Sequence, residues 1–407
     1  MLIQTLAWPV VSPSTPGMPF ARTPRELRPP VATTPEVDEL LHRNAVCAVG
    51  VSGGKDSDAV ALAVAAHLDL IGHSGPRVLI HSDLGRIEWR DSLPSCERLA
   101  KHLGWELMVV KRSAGDMLDR WYSRWAANVE RYKTLNCVTL ILPWSTPALR
   151  FCTSEMKADQ ICRALRKRWP KQDVLNVTGI RRQESPARSK MPVSAPLGKL
   201  QRKAAAGVSW NAIIEWKLGD VFGAIADAGL DLHEAYTVYG ASRVSCSSCI
   251  MSTGADLLAA ASCEDNHEAY RLIVELEAAS TFGFQGNRWL ADVAPHLLSQ
   301  DLRDRVTLAK RAAFDRVAAE KEIPKRLLFT AGWPTSMPTA AEGEVLASVR
   351  RRVAQAVGLD IGVTTGADVL ARYRELLALR GTGPVDTDDE ESAGEVGVTA
   401  DLCGMLA

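Results

Sequence analysis

From Ala45 onward, apolar runs of strand length alternate with longer stretches of helical period. Val46–Val51 reads as a strand, Ser57–Leu70 as a helix, Arg77–Ser82 as a strand, Leu93–Leu103 as a helix and Glu106–Lys111 as a strand. Strands that alternate with helices in this way must pair in parallel, because each return crosses over the sheet. The expected fold is therefore α/β, a doubly wound parallel sheet with helices on both faces. Further along, Ser154–Arg168 reads as a helix and Asp173–Thr178 as another buried strand, while Leu118–Trp144, rich in Trp and Arg, reads as less regular. Beyond Trp210 the pattern is mainly helical: 218–228, 255–261, 267–279, 302–322, 342–357 and 367–379.

Composition narrows the class. The 407 residues exceed one typical domain, and 46% hydrophobic with 24% charged residues is ordinary for a globular chain. No apolar run approaches the roughly 20 residues that span a bilayer. The first 40 residues, rich in proline, read as a disordered leader; 41–255 as an α/β domain; 256–380 as a helical region; and 381–407 as an acidic flexible tail. The N-terminus lacks a basic segment before its apolar stretch and is broken by Pro9 and Pro13, so it makes a poor signal peptide. Cytoplasmic residence with reduced thiols follows as the expectation. Nine cysteines, an odd number, cannot all pair, and are then available as ligands or nucleophiles.

The most informative segment joins the first strand to the first crossover helix: Ser52-Gly53-Gly54-Lys55-Asp56-Ser57. Glycines admit a phosphate close to the backbone, the N–H groups of the following helix point at it, and the helix dipole adds positive charge there. Lys55 supplies a full charge, and Ser52 and Ser57 supply hydroxyls. The spacing is not that of a Walker A loop, since Asp56 follows the lysine. At the end of the second strand, Asp83 falls at the sheet edge that faces a ligand crevice and is a candidate adenosine or metal contact. Arg181, Arg182 and Arg188 offer forks for phosphate or sulfate. Cys246 and Cys249 form a Cys-x-x-Cys whose two thiolates could share one metal centre.

The hexad SGGKDS resembles the PP-loop of ATP pyrophosphatases and other adenine nucleotide α-hydrolase-like enzymes. Arg150-Phe-Cys-Thr-Ser-Glu-Met-Lys157, Thr178-Gly-Ile-Arg-Arg-Gln-Glu-Ser-Pro-Ala-Arg188 and Val244-Ser-Cys-Ser-Ser-Cys249 narrow the likeness to the phosphoadenosine phosphosulfate (PAPS) reductase branch, over about Ala45 to Met251. The motif style is similar to that of sulfur-transfer relatives that act in DNA phosphorothioation. The resemblance implies an adenosine nucleotide, ATP or PAPS (or its unphosphorylated analogue APS), bound by Ser52, Gly53, Gly54, Lys55, Asp56, Ser57, Asp83, Arg150 and Arg182. Lys55, Asp56, Arg181 and Arg188 would act on it, with Mg2+ accompanying ATP. It further implies a [4Fe–4S] cluster on Cys152, Cys246 and Cys249. Thr153 stands where the cluster-bearing reductases carry a second cysteine, so the fourth ligand must come from elsewhere, and Cys263 is the candidate. Cys47, Cys96, Cys137 and Cys162 read as packed thiols.

Two chemistries share this scaffold. One cleaves the α,β-phosphate bond of ATP to activate an acceptor, which sulfur then attacks. The other is PAPS or APS reduction with release of sulfite. The C-terminal Glu-Cys-Gly-x-His motif that carries the reductase nucleophile is missing, and Cys403-Gly404 matches it in only two letters. This favours activation coupled to sulfur transfer, with a desulfurase or thioredoxin-like protein as sulfur donor. A non-catalytic nucleotide-binding protein is the third reading. The formal net charge of zero hides two opposed segments: 21 Lys and Arg against 9 Asp and Glu between Lys111 and Asp220, an excess of 12, and seven acids without a base after Arg380. The basic segment 111–220 is thus a candidate surface for a nucleic-acid backbone.

Overall fold

A computed structural model describes residues 22–382 of the chain. Residues 383–407 of the acidic tail and residues 1–21 of the proline-rich leader lie outside the described residues. From Thr23 the leader is packed on the domain rather than loose. Thr23 N–H donates to the Gly219 carbonyl at 3.1 Å, and the indoles of Trp216 and Trp210 donate to the carbonyls of Pro29 and Ala32 at 2.9 and 2.7 Å. Helix α1, Pro35–His42, follows, with Thr34 accepting from the Val37 N–H and proline at its first position.

The expected sheet is present. Strands β1 (Val46–Val51), β2 (Arg77–Asp83), β3 (Glu106–Lys111), β4 (Val174–Val177), β5 (Ser194–Pro196) and β6 (Gly207–Trp210) form one sheet in the order β3-β2-β1-β4-β6-β5. All neighbours pair in parallel except the edge hairpin of β5 with β6. Helices α2 (Lys55–Leu70), α3 (Ser92–Leu103), α4 (Met117–Lys133) and α5 (Asp159–Arg168) make the crossovers, and α6 (Leu218–Asp227) follows the last strand. Side chains alternate between the two faces, as the period of two requires. Cys47, Val49, Val51, Leu79 and Leu175 pack under α1, α2, α3 and α6; Val46, Ala48, Val78, Ile80 and Val174 pack under α5.

The order of strands reverses between β1 and β4. Such a switch point opens a crevice beyond the carboxyl ends of the two strands, where open α/β sheets take their ligands. The loops that leave β1 and β4 there are the SGGKDS hexad and Thr178–Arg181.

One stretch departs from the sequence reading. Leu118–Trp144 begins not as irregular chain but as the 17-residue helix α4, started by a capping box in which the side chains of Asp116 and Asp119 each accept the other's backbone N–H. Leu118, Trp121, Trp125, Asn128 and Tyr132 recur at helical spacing along its inner face. Trp121, Trp144 and Phe284 meet edge to face with centroids 5.1–5.6 Å apart. Through them α4 shares an apolar cluster with α7 (Gly254–Ala261), α8 (His267–Ser280) and α9 (Gln300–Glu320). Its far end, around Tyr132 and Leu135, packs against α10 (Ala340–Val357) and α11 (Gly366–Thr382). There the fully buried Arg350 donates to the Tyr132 and Lys133 carbonyls at 2.7 and 3.2 Å, a cation set against the negative end of α4. Glu277, also fully buried, accepts the N–H groups of Phe284, Leu290 and Ala291 at 2.7, 2.7 and 3.0 Å and staples that loop to α8.

Candidate nucleotide site and cysteine loop

Gly53 adopts φ +73°, a conformation only glycine takes without strain, and a Cβ there would stand 2.9 Å from the Ser92 carbonyl oxygen. The turn is closed by Ser57, whose hydroxyl donates to the Gly54 carbonyl at 2.7 Å and accepts the Ser52 N–H at 3.3 Å. The first turn of α2 is thereby aimed at the crevice.

Lys55 and Arg181, both nearly buried, converge on Asp56. Lys55 Nζ lies 3.0 Å from Asp56 Oδ2, and Arg181 Nε donates to Oδ1 at 2.7 Å. Burial works against the Lys55 charge, but the Tyr236 phenol and the Asp56 carboxylate outweigh it and hold the ammonium protonated. The result is a cluster with one more cation than anion at a helix N-terminus, which suits a phosphate chain. Gly179 lets the loop after β4 approach: a Cβ there would stand 2.4 Å from the Asp56 carbonyl oxygen. Arg181 is fixed further by Gln183, which accepts from its Nη1 at 3.1 Å, and by Glu184, which accepts its backbone N–H at 2.8 Å. Glu184 also holds Arg188 at 2.5 Å, so both arginines share one anchor.

Other candidate residues stand differently. Arg182 turns away to Glu215 (2.7 Å) and to the carbonyls of Ser189 and Met191. The Asp83 carboxylate accepts the Gly85 N–H at 2.8 Å and closes the turn after β2. Arg150 is the residue before the short turn Phe151–Thr153 that carries Cys152.

Cys152, Cys246 and Cys249 are half-buried and come from two segments. They are near enough to act on one another: burial pushes the Cys246 thiol up, Lys157 opposes this, and the Cys249 and Cys152 thiols add to the rise. In kind, three thiols beside a lysine suit a thiophilic centre. Among the described residues, however, no three His, Cys, Asp or Glu side chains stand close enough to hold an ion. Cys263 lies in a separate apolar cluster with Trp89 and Ala235, against which Tyr239 packs. Cys47, Cys96, Cys137 and Cys162 are buried.

The Cys-x-x-Cys loop is held from both sides. Ser247 donates through its N–H and its hydroxyl to the Ile87 carbonyl at 2.7 and 2.9 Å. From the helical region, the Gln285 amide nitrogen faces the carbonyls of Cys249, Ile250 and Ser252 at 3.2, 3.1 and 2.9 Å. Gln285 and Tyr236 stand in no sequence motif, and in His81-Ser-Asp-Leu-Gly85, at the end of the second strand, the sequence points to Asp83 rather than to His81. His81, on β2, is buried beside Cys96 of α3, with Nδ1 3.0 Å from the Val51 carbonyl and Nε2 3.1 Å from Glu88 Oε2. Burial opposes its charge, yet Cys96 and Glu88 prevail and push it up to about 10. An acceptor at each ring nitrogen calls for the doubly protonated ring.

A profile of the phosphoadenosine phosphosulfate reductase domain matches residues 46–252, about half of the chain, from the start of β1 to just past Cys249. The chain belongs to the PAPS reductase domain family. At that level it is a nucleotide-using enzyme of sulfur chemistry, and the matched span contains the switch-point cluster and three of the four cysteines. Gln285 and Cys263 fall outside it. No curated protein matches the chain. Among solved structures, the U34-tRNA thiolase NcsA from Methanococcus maripaludis with its [4Fe-4S] cluster is 14% identical, with a TM-score of 0.34, over 64% of this chain and 83% of that one. That likeness is too slight to bear on chemistry. Among the described residues no helix is long and apolar enough to cross a membrane.

Proposed function

We propose that this PAPS reductase-family chain binds ATP at the Ser52–Ser57 loop and cleaves its α,β-phosphate bond to activate an acceptor for sulfur transfer. The observation that carries the reading is the convergence of Lys55 and Arg181 on Asp56 at the N-terminus of α2. An arriving phosphate chain competes with Asp56 for both cations and finds the first N–H groups of α2 beside them. Lys55 and Arg181 neutralise charge that grows on the leaving pyrophosphate, the largest contribution such a site offers. Arg188, tied to Arg181 through Glu184, extends the cationic wall. Asp56 is the residue available to Mg2+ once the phosphates take its partners.

An iron–sulfur cluster would be held by Cys152, Cys246 and Cys249, and would supply a site for binding or relaying sulfur. The loop and the Cys152 turn must draw together for this. The burial of Cys263 in another cluster does not support it as the fourth ligand.

Segment 111–220 supports a nucleic-acid acceptor. Arg166, Lys167 and Arg168 at the end of α5, Lys171 just beyond it and Lys203 are exposed, and would offer cations to a phosphodiester backbone. Binding there would weaken steeply with salt. The residence expected of such an enzyme is the cytoplasm, and the expected sulfur donor is a desulfurase or a thioredoxin-like protein.

The alternative is reduction of PAPS or APS to sulfite. Anaerobically purified protein incubated with ATP, or with PAPS and a thiol donor, separates the two. Pyrophosphate from ATP that disappears in Lys55→Ala is the expected result; sulfite from PAPS would replace this reading with the reductase.

A further inference from the structure

The segment His233–Val244 lies along the nucleotide loop and leads directly into the Cys-x-x-Cys. It touches the loop at both glycines. A Cβ at Gly53 would stand 3.1 Å from the His233 ring, and one at Gly54 would stand 3.4 Å from Val244 Cβ and 3.7 Å from Tyr236 Oη. His233 is fixed in place, with Nδ1 accepting the Ala235 N–H at 3.0 Å and Nε2 3.3 Å from the Ser92 hydroxyl. Tyr236 makes the decisive contact. Its hydroxyl oxygen accepts the Lys55 N–H at 3.3 Å and the Val244 N–H at 3.0 Å, while Lys55 Nζ stands 5.4 Å from its ring centre.

The Lys55 N–H is the first of α2, one of the donors a helix N-terminus offers to an anion. In this arrangement a phenol oxygen takes it. That oxygen also holds Val244, two residues before Cys246, and Ser247 is anchored on the far side to the Ile87 carbonyl. One hydroxyl therefore joins the nucleotide loop to the near end of the cysteine loop.

We infer that Tyr236 is a positioning residue that couples occupancy of the nucleotide loop to the freedom of the cysteine loop: an oxyanion arriving at the Lys55 N–H displaces the Tyr236 hydroxyl, which releases the Val244 N–H. This rests on the anion-loop reading proposed above and deepens it. The charge on an oxyanion makes it the better acceptor, so it wins the shared donor. The lost hydrogen bond then appears at Val244, on the segment that leads to Cys246.

Hydrogen exchange of the full-length chain, with inorganic pyrophosphate as the probe, tests the coupling. In the wild-type chain, saturating pyrophosphate should speed exchange of the Val244 amide roughly three- to tenfold, the effect of losing one hydrogen bond. Tyr236→Phe should show that faster exchange without ligand, no further change with it, and tighter pyrophosphate binding, because no hydroxyl competes. Unchanged exchange in α9 and α10 would establish that the variant is folded, and the wild-type arm needs no variant. The coupling is overturned by slower Val244 exchange on binding, by a Tyr236→Phe chain that exchanges like wild type, or by weaker pyrophosphate binding in that variant. Wild-type chain that binds pyrophosphate without any change at Val244 sinks the coupling alone. Wild-type chain that takes up no pyrophosphate sinks the anion-loop reading and the coupling with it.

Discussion

Arg181 Nε donates to Asp56 Oδ1 at 2.7 Å, and this contact ties the loop that leaves β4 to the loop that leaves β1. The two strands are neighbours in the sheet, but 125 residues separate the partners in sequence. Arg181→Ala leaves Asp56 to Lys55 alone and removes a fork from the crevice. We expect nucleotide affinity to fall roughly ten- to hundredfold, the worth of a hydrogen bond to a charged group, and stability to fall by about 2 kcal/mol. Titration calorimetry with ATP and urea unfolding measure the two. Affinity equal to wild type would remove Arg181 from the site.

Gly179→Ala tests the approach of the same two loops without touching any charge. The added methyl meets the Asp56 carbonyl oxygen and carbon, so the backbone of the phosphate loop must shift. A cost of about 1–3 kcal/mol in stability is expected, with a loss of nucleotide binding larger than the loss of folding. A variant that is less stable but binds ATP normally would show that the loop tolerates displacement.

Two buried carboxyls set a pH dependence. Burial pushes Asp58 up to about 7, against the Ser57 hydroxyl and Arg98, and pushes Glu277 up to about 7, against its three N–H donors. For a carboxyl raised in the folded state, the stabilisation is complete below the unfolded value, near 4, and is lost as pH rises towards 7. Stability should therefore decline across about pH 4 to 7, by a few kcal/mol at most. Asp58→Asn should flatten the slope. Chemical denaturation at several pH values measures it, and an equal slope in the variant would show that Asp58 does not titrate there.

Gln285 is the link from the helical region to the cysteine loop. Gln285→Ala takes the donor away from three carbonyls, and Gln285→Glu puts a carboxylate in its place. Alkylation of Cys249 by iodoacetamide, followed by mass spectrometry of metal-free chain, should be fastest in the Glu variant, intermediate in Ala and slowest in wild type. Equal rates in all three would mean that Ser247 alone holds the loop.

The parts of the site that were legible in the sequence are those in which chemistry and backbone geometry share a short segment. The SGGKDS hexad and Thr178–Arg181 each stand directly after a strand that ends at the switch point, and the Cys-x-x-Cys is a spacing that can be read without the fold. Helix α4 is obscured because Arg120 and Arg124, which flank its inner face and lie over the Phe151 ring, break up the apolar period, and that period looks weak until Trp121 and Trp125 are counted as core. Strands β5 and β6, at three and four residues, are too short for any period to register. Tyr236 and Gln285 carry no local signal, since each acts through backbone groups that only the tertiary fold brings near. Arg182 and Asp83 follow the strands the sequence assigns them to, where Glu215 and the Gly85 N–H engage them.

The contact of Arg350 with the Tyr132 carbonyl spans 218 residues. On a ribosome that adds about 5–20 residues per second, α4 emerges tens of seconds at most, and at least about ten, before the cation that completes its end. Throughout that interval the surface around Tyr132 and Leu135 is without its partner helices. The end of α4 is thus made early and covered late, when α10 and α11 have followed it out.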